Sequence, residues 1–128
     1  MLRIRFKRVL KKGGIFLTQQ VGAQNDRELV ELLLGDIEIP FKEAYLEIAL
    51  KEFENKGFEI LERSESHGSI EFYDVGALVW FARIIEWEFP GFCVEKYQQE
   101  LFKAQEVLEK EGVIRGRTHR YYFVARKI

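Results

Sequence analysis

The sequence predicts an α/β fold, in which helices alternate with strands and pack on a sheet. Three observations lead to this prediction. Residues 15–21 form an apolar run that is too short for a helix and follows a glycine pair, which favours an inner strand. A helix-spaced segment ends at Gly57, and a second strand is predicted directly after it at residues 58–64. Residues 118–126 are rich in aromatic and β-branched side chains and predict a third strand.

The composition is that of a soluble globular protein with one domain over residues 1–128. Hydrophobic residues make up 47% of the chain and charged residues 32%, so a disordered chain is excluded. Cys93 is the single cysteine, which rules out an internal disulfide and indicates a reducing cytoplasm. The sequence contains no apolar run of membrane-spanning length and no secretory signal, so we expect no membrane partner.

The net charge of −1 is unevenly distributed along the chain. Residues 1–12 and 115–128 together carry eleven of the 20 basic side chains and none of the 21 acidic ones. Clustered basic residues can contact phosphates, but no nucleic-acid-binding motif accompanies them. Solvated faces or self-association are the commoner meaning of such charge blocks, so we expect no nucleic-acid partner.

The first elements are predicted from turn and cap signals. Residues 8–12 read as the end of a helix, with two lysines at the negative end of its dipole and Gly13 available for a positive φ. Asn25 and Glu28 have capping-box spacing, which predicts a helix at about residues 26–34. The next helix begins near Phe41 and ends at Gly57.

The second half of the chain is predicted to be mainly helical. Residues 64–69 are polar and read as a loop. Asp74 can then cap a helix that runs to Ile85 and is apolar nearly all round, which implies burial on several sides. An aromatic turn at residues 87–92 precedes a helix at residues 94–111.

Residues 8–17 are Arg-Val-Leu-Lys-Lys-Gly-Gly-Ile-Phe-Leu, which resembles the segment leading into the fifth strand of class I S-adenosylmethionine-dependent methyltransferases. Four later stretches are similar to a bacterial branch of that family that acts on small molecules; they lie at residues 18–22, 57–62, 72–78 and 118–127. The resemblance runs from about Phe6 onward, but it covers only the C-terminal half of such an enzyme.

The resemblance implies a partial Rossmann-like methyltransferase sheet of three strands, in which the last strand lies antiparallel in the middle. A helical insertion at residues 72–112 would lie between the last two strands and would resemble the substrate-covering region. The strand at residues 15–21 would keep one unpaired edge.

Members of this family hold S-adenosylmethionine with a glycine-rich turn after the first strand and an acidic residue after the second. Neither element is present here, because Gly13 and Gly14 precede their strand instead of following it. The resemblance implies methyl transfer to an unknown small molecule. We expect the chain to be truncated, and on its own to bind no S-adenosylmethionine and to be inactive.

The resemblance also implies which residues would face the substrate. No catalytic, cofactor-binding or metal-binding residue is assigned. Gln19 and Gln20 end the opening strand on opposite sides, and bonding to local backbone is an equally good explanation for them. His119 begins the last strand and is either substrate-side or structural. His67 reads as a surface histidine. The insertion could line an apolar pocket or form core with a set of mostly aromatic residues: Tyr73, Asp74, Trp80, Trp87, Phe89 and Phe92.

Two alternatives to the methyltransferase hypothesis remain open. The chain could be an association module, either as a homodimer or as the partner of a separate N-terminal half, through the edge of the opening strand. It could also be a small-molecule-binding remnant that keeps the aromatic insertion.

Overall fold

The computed structural model describes residues 9–128. Within this range the chain forms five strands and four helices. The strands are β1 (Ile15–Val21), β2 (Phe58–Ser66), β3 (Ser69–Phe72), β4 (Ile114–Arg117) and β5 (Arg120–Lys127). The helices are α1 (Arg27–Leu34), α2 (Leu46–Asn55), α3 (Val75–Ile84) and α4 (Gln98–Glu111). In residues 9–128, no helix combines the length and apolar composition needed to cross a membrane.

The chain divides into two compact units. The first consists of Met1–Ala23, as far as it is described, with Phe41–His67 and His119–Ile128. The second consists of Gln24–Pro40 and Gly68–Thr118. The single domain over residues 1–128 and the helical insertion at residues 72–112 stay predictions.

The first unit contains the predicted three-stranded sheet. Its order is β1-β5-β2, and β5 is antiparallel to both neighbours. Helix α2 packs on one face, where the ring of Phe53 stacks on Phe16 at 5.4 Å and meets Phe123 edge-on at 4.9 Å. The predicted mixed α/β fold with the last strand antiparallel in the middle is therefore confirmed.

The two edge strands of this sheet differ. Strand β1 pairs in unbroken register with β5, and within the described residues it has no other strand neighbour. Its side chains alternate, so Ile15, Leu17 and Val21 lie on the face away from α2 and are exposed. Strand β2 has a β-bulge between Ile60 and Glu62.

The second unit packs three helices and a small sheet around an apolar core. Strands β3 and β4 pair antiparallel, with Ile70 opposite Gly116. Neither strand was predicted, because each is only four residues long and its partner lies far away in the sequence. The buried side chains of this core include Leu29, Leu33, Phe72, Leu78, Phe89, Ala104 and Ile114.

The predicted capping box at the start of α1 is wrong. The N-cap residue is Asp26, which has a φ of 59° and makes no side-chain cap. The Asn25 amide instead donates to the carboxylates of Asp26 and Glu88, at 2.9 and 2.8 Å. Glu28 accepts a hydrogen bond from the backbone N–H of Arg117 at 3.0 Å. Tertiary partners therefore take both side chains of the expected box.

Other helix boundaries also differ from the prediction. Helix α2 begins at Leu46 instead of near residue 41, and α4 begins at Gln98 instead of at residue 94. In α3 only Leu78 and Ala82 are buried, so its apolar surface is not enclosed on several sides. The helix predicted to end at residues 8–12 lies largely in residues 1–8, which are outside the described range. Gly13 has the expected positive φ of 83°.

Candidate functional site

A polar cluster lies in the first unit at the carboxyl ends of β1 and β2. Strand β5 runs in the opposite direction, so its first residues come to the same end, with Arg120 opposite both Val21 and Ser66. His119 directly precedes β5 and forms the centre of the cluster. In open α/β sheets, ligands bind at the carboxyl ends of the strands.

The His119 side chain is buried and held from several directions. It is 1% exposed, and its Nε2 lies 2.8 Å from Oε2 of Glu65. The ring of His67 stacks on it with a centroid distance of 4.4 Å and an interplanar angle of 15°. The Tyr45 ring lies at 5.6 Å in a tilted orientation. This imidazole is therefore fixed in position and orientation.

Gly22, which follows β1, makes room for this ring. A Cβ atom at residue 22 would lie 2.1 Å from Nδ1 of His119, far inside van der Waals contact. The backbone N–H of Gly22 also donates to the His119 carbonyl at 2.8 Å. Close approach of the imidazole to the backbone thus depends on a glycine at this position.

The Glu65 carboxylate is the electrostatic partner of the cluster. The hydrogen bond from His119 lowers the pKa of Glu65 below its ordinary value, and a backbone hydrogen bond from Leu46 adds to the effect against the opposing cost of partial burial. Its side chain is 33% exposed and lines an open cleft of about 340 Å³ beside α2. The other lining residues are Leu46, Glu47, Leu50, Lys51, Glu54 and Arg63.

This arrangement can hold a proton between a carboxylate and a buried imidazole, and it places the exposed His67 ring directly against that imidazole. The surface position predicted for His67 is confirmed, because its side chain is exposed. The sequence also pointed to His119, whose substrate-side role stays a prediction. It did not point to Glu65, because the two partners are 54 positions apart and Glu65 lies in a segment predicted to be a loop. Residues 62–67 are all polar, so no periodic pattern in the sequence signals that β2 continues to Glu65.

The glutamines on β1 lie on opposite faces of the sheet, as predicted. Gln19 is opposite Tyr122, and Gln20 is opposite Tyr121. Both side chains are exposed, and the Gln20 amide donates to Oγ1 of Thr18 at 2.7 Å. Their role as substrate-side residues stays a prediction.

The remaining predicted site residues belong to the second unit. Asp74 accepts a hydrogen bond from the backbone N–H of Ala77 at 2.6 Å, which confirms it as the cap of α3. The side chains of Tyr73, Trp80 and Trp87 are exposed, at 68%, 68% and 56% respectively. Phe89, in contrast, is buried in the core. An apolar pocket formed by the exposed aromatic residues stays a prediction.

Potential metal ligands do not cluster in residues 9–128, where no three or more His, Cys, Asp or Glu side chains come together as a metal site. Cys93 is half-buried and free.

Comparison with known proteins shows a similarity of fold to one solved structure described below. No protein-family model matches the chain, and no curated protein matches it. The chain is similar to the crystal structure of a candidate methyltransferase from Bacillus halodurans C-125, with 25% sequence identity and a TM-score of 0.54. The match covers 98% of this chain and 56% of that one, so this chain spans little more than half the length of its structural neighbour. The chain therefore has a methyltransferase-like fold that corresponds to part of that structure.

Proposed function

We propose that this chain is the acceptor-side part of an S-adenosylmethionine-dependent methyltransferase that acts on a small molecule. One observation carries the proposal: the likeness to the Bacillus halodurans structure extends over 98% of this chain but over only 56% of that one. The methyl donor would be held by a donor-binding half that these residues do not supply. We therefore expect no methyl transfer by this chain alone.

Four glycines that lie next to strands do not fit a donor site. Gly13, Gly57 and Gly112 come just before strands, whereas ligand-binding turns follow their strands. Gly22 does follow β1, but the ring of His119 fills the space beside its backbone. These positions support the expectation that S-adenosylmethionine is not bound by this chain alone.

The polar cluster is the proposed acceptor side within the first unit. Glu65 and His119 lie at the carboxyl ends of the strands, where a polar group of a substrate could be oriented. Gln19 and Gln20 lie near the carboxyl end of β1, and we propose that they help to orient this polar group of the substrate. Within the second unit, exposed aromatic side chains are proposed to contact apolar parts of a small molecule; these are Tyr73, Trp80 and Trp87.

Calorimetric titration of S-adenosylmethionine tests this proposal. The purified 128-residue chain is expected to give no binding heat. A chimaera that carries the uncovered part of the Bacillus halodurans protein on the N-terminal side of this chain is expected to bind the donor and to form S-adenosylhomocysteine with an acceptor from a metabolite panel. Micromolar binding by the chain alone, or a folded chimaera that binds no donor, would overturn the proposal.

Association is a second candidate function, and the position of β1 favours it. Among residues 9–128 this strand is at the edge of its sheet, and it exposes three apolar side chains: Ile15, Leu17 and Val21. An open strand edge is a template for pairing with another chain. A second copy of the chain and a separate donor-binding half are the two candidate partners.

A further inference from the structure

The cleft beside α2 in the first unit carries both signs of charge around an apolar floor. Its volume of about 340 Å³ is near the lower end of the range for small-molecule sites. Leu46 and Leu50, from the first turns of α2, supply its apolar side chains. Its charged side chains come from α2 and β2 and are those of Glu47, Lys51, Glu54, Arg63 and Glu65. A cleft of this size and composition suits a small charged molecule with a short apolar part.

Arg63 and Glu65 lie on the same face of β2. They are paired with Phe123 and Tyr121 of β5, whose buried side chains pack in the core with α2. Alternate side chains of a strand point to the same side, and their Cα atoms are about 7 Å apart. One positive and one negative side chain therefore border the cleft together, at a spacing that a small zwitterion can bridge.

The Glu65 carboxylate is fixed in position and kept ionised. Nε2 of His119 lies 2.8 Å from Oε2 of Glu65, and the backbone N–H of Leu46 also donates to this carboxylate. Both hydrogen bonds lower the pKa of Glu65, that from His119 more strongly, against the opposing cost of partial burial. Part of the side chain stays exposed in the cleft. Glu65 is therefore a preorganised acceptor for a cationic group.

The Arg63 guanidinium is available to a ligand. Within residues 9–128 it takes part in no hydrogen bond and no ion pair, whereas the other cation of the cleft, Lys51, pairs with Glu47 at 3.7 Å. A guanidinium group presents paired N–H donors that match the two oxygens of a carboxylate. The cleft thus offers a group that binds carboxylates beside one that binds ammonium groups.

We propose that this cleft binds a small zwitterion of the α-amino-acid type, with its carboxylate on Arg63, its ammonium group on Glu65 and an aliphatic side chain over Leu46. The inference rests on the proposed function only in taking this ligand as the methyl acceptor, whereas binding itself depends on the cleft alone. A molecule that carries one of the two charges would leave either Arg63 or Glu65 unmatched.

Titration of L-leucine into the purified chain, followed through amide chemical shifts in NMR spectra, tests the proposal. Isopentylamine has a similar carbon skeleton without the carboxylate, and isocaproate has one without the ammonium group. We expect L-leucine to bind with a dissociation constant in the millimolar range or below and to shift amides of β2 and of the start of α2. Each analogue should bind roughly tenfold more weakly, because it loses one charge-assisted hydrogen bond.

Substitutions on β2 assign the two contacts. Arg63→Gln should weaken binding of L-leucine roughly tenfold and leave binding of isopentylamine unchanged. Glu65→Gln should weaken binding of L-leucine to a similar extent and leave binding of isocaproate unchanged. Glu62→Gln is the matched control, because Glu62 lines a neighbouring cleft of about 600 Å³ and does not line this one. Circular dichroism checks that the variants are folded, and Arg63→Gln removes no contact within residues 9–128, so it keeps the test valid if Glu65→Gln unfolds.

Three outcomes would overturn the proposal. They are the absence of any shift with L-leucine at the highest concentration reached, equal affinity for L-leucine and either analogue, and binding that Glu62→Gln weakens while Arg63→Gln does not. The titration needs no methyl donor, so it is separate from donor calorimetry. A chain that binds L-leucine but whose chimaera binds no donor would refute the proposed function alone. A chimaera that methylates another acceptor, while L-leucine is not bound, would refute this inference alone.

Discussion

At Gly22, the absence of a side chain decides whether the buried imidazole can be accommodated. The His119 ring occupies the space in which a Cβ atom would lie, and its hydrogen bond to Glu65 leaves it little freedom to move away. Any other residue would push the ring out of its position. The contact therefore links the end of β1 to the start of β5 through one side chain.

We expect Gly22→Ala to lower the free energy of unfolding by about 2 kcal/mol, the usual cost of overpacking a buried site. Chemical denaturation measures this change. In a His119→Ala background the same substitution should cost much less, because the ring that it displaces has been removed. Equal costs in the two backgrounds would show that the contact does not determine the effect.

Glu65 should give the chain a pH-dependent stability. Its pKa is lowered in the folded state, chiefly by the hydrogen bond from His119. A lowered folded-state pKa stabilises the fold fully above the ordinary glutamate pKa of about 4.3, and this stabilisation is lost as the pH falls through the lower folded value. The loss therefore falls in the acid range, below the ordinary value.

Glu65→Gln is expected to lower the free energy of unfolding by about 1 kcal/mol at neutral pH, a small value for a charged hydrogen bond because the side chain is 33% exposed. Urea unfolding from neutral pH down to about pH 3 should show the difference from wild type shrinking in acid. Glu62→Gln on the same strand is the matched control, since Glu62 is exposed. A difference that stays constant across this range would contradict the assignment.

At the scale of elements, helix α3 begins with a capping signal that is local in the sequence. Asp74 was predicted as a cap from its position before an apolar run, and its carboxylate accepts a 2.6 Å hydrogen bond from the N–H of Ala77. This signal could be read from the sequence because a cap and its helix are only three residues apart.

Asp74→Ala should therefore lower the free energy of unfolding by about 1 kcal/mol, because an N–H group at the start of α3 loses its acceptor. Asp74→Asn should largely preserve stability, since an asparagine side chain caps a helix nearly as well. Thermal or denaturant unfolding of the two variants compares them. If both lost stability equally, the carboxylate charge would matter more than the cap.

Elements that depend on distant partners escaped prediction. Strands β3 and β4 have four residues each, too few for a periodic pattern to be recognised. The expected capping box failed because the Asn25 amide bonds to Glu88, which is 63 positions away. A local signal can be overruled when a buried acceptor from another element competes for the same side chain.

At the scale of the whole molecule, the sheet order was predicted because several turn and strand signals occurred in the order of a known family. Composition and periodicity alone would have predicted where the strands lie but not which strands pair with each other. The Glu65–His119 pair was half predicted, since the resemblance drew attention to His119 but not to its partner. The division of the described chain into two compact units was not predicted from composition.

The bulge and the charges of β2 also bear on the tendency of this chain to aggregate. A sheet edge that carries charges and a bulge is a poor template for a strand of another chain. Removing the charges from β2 is therefore expected to make this edge of the three-stranded sheet more prone to pair with other copies.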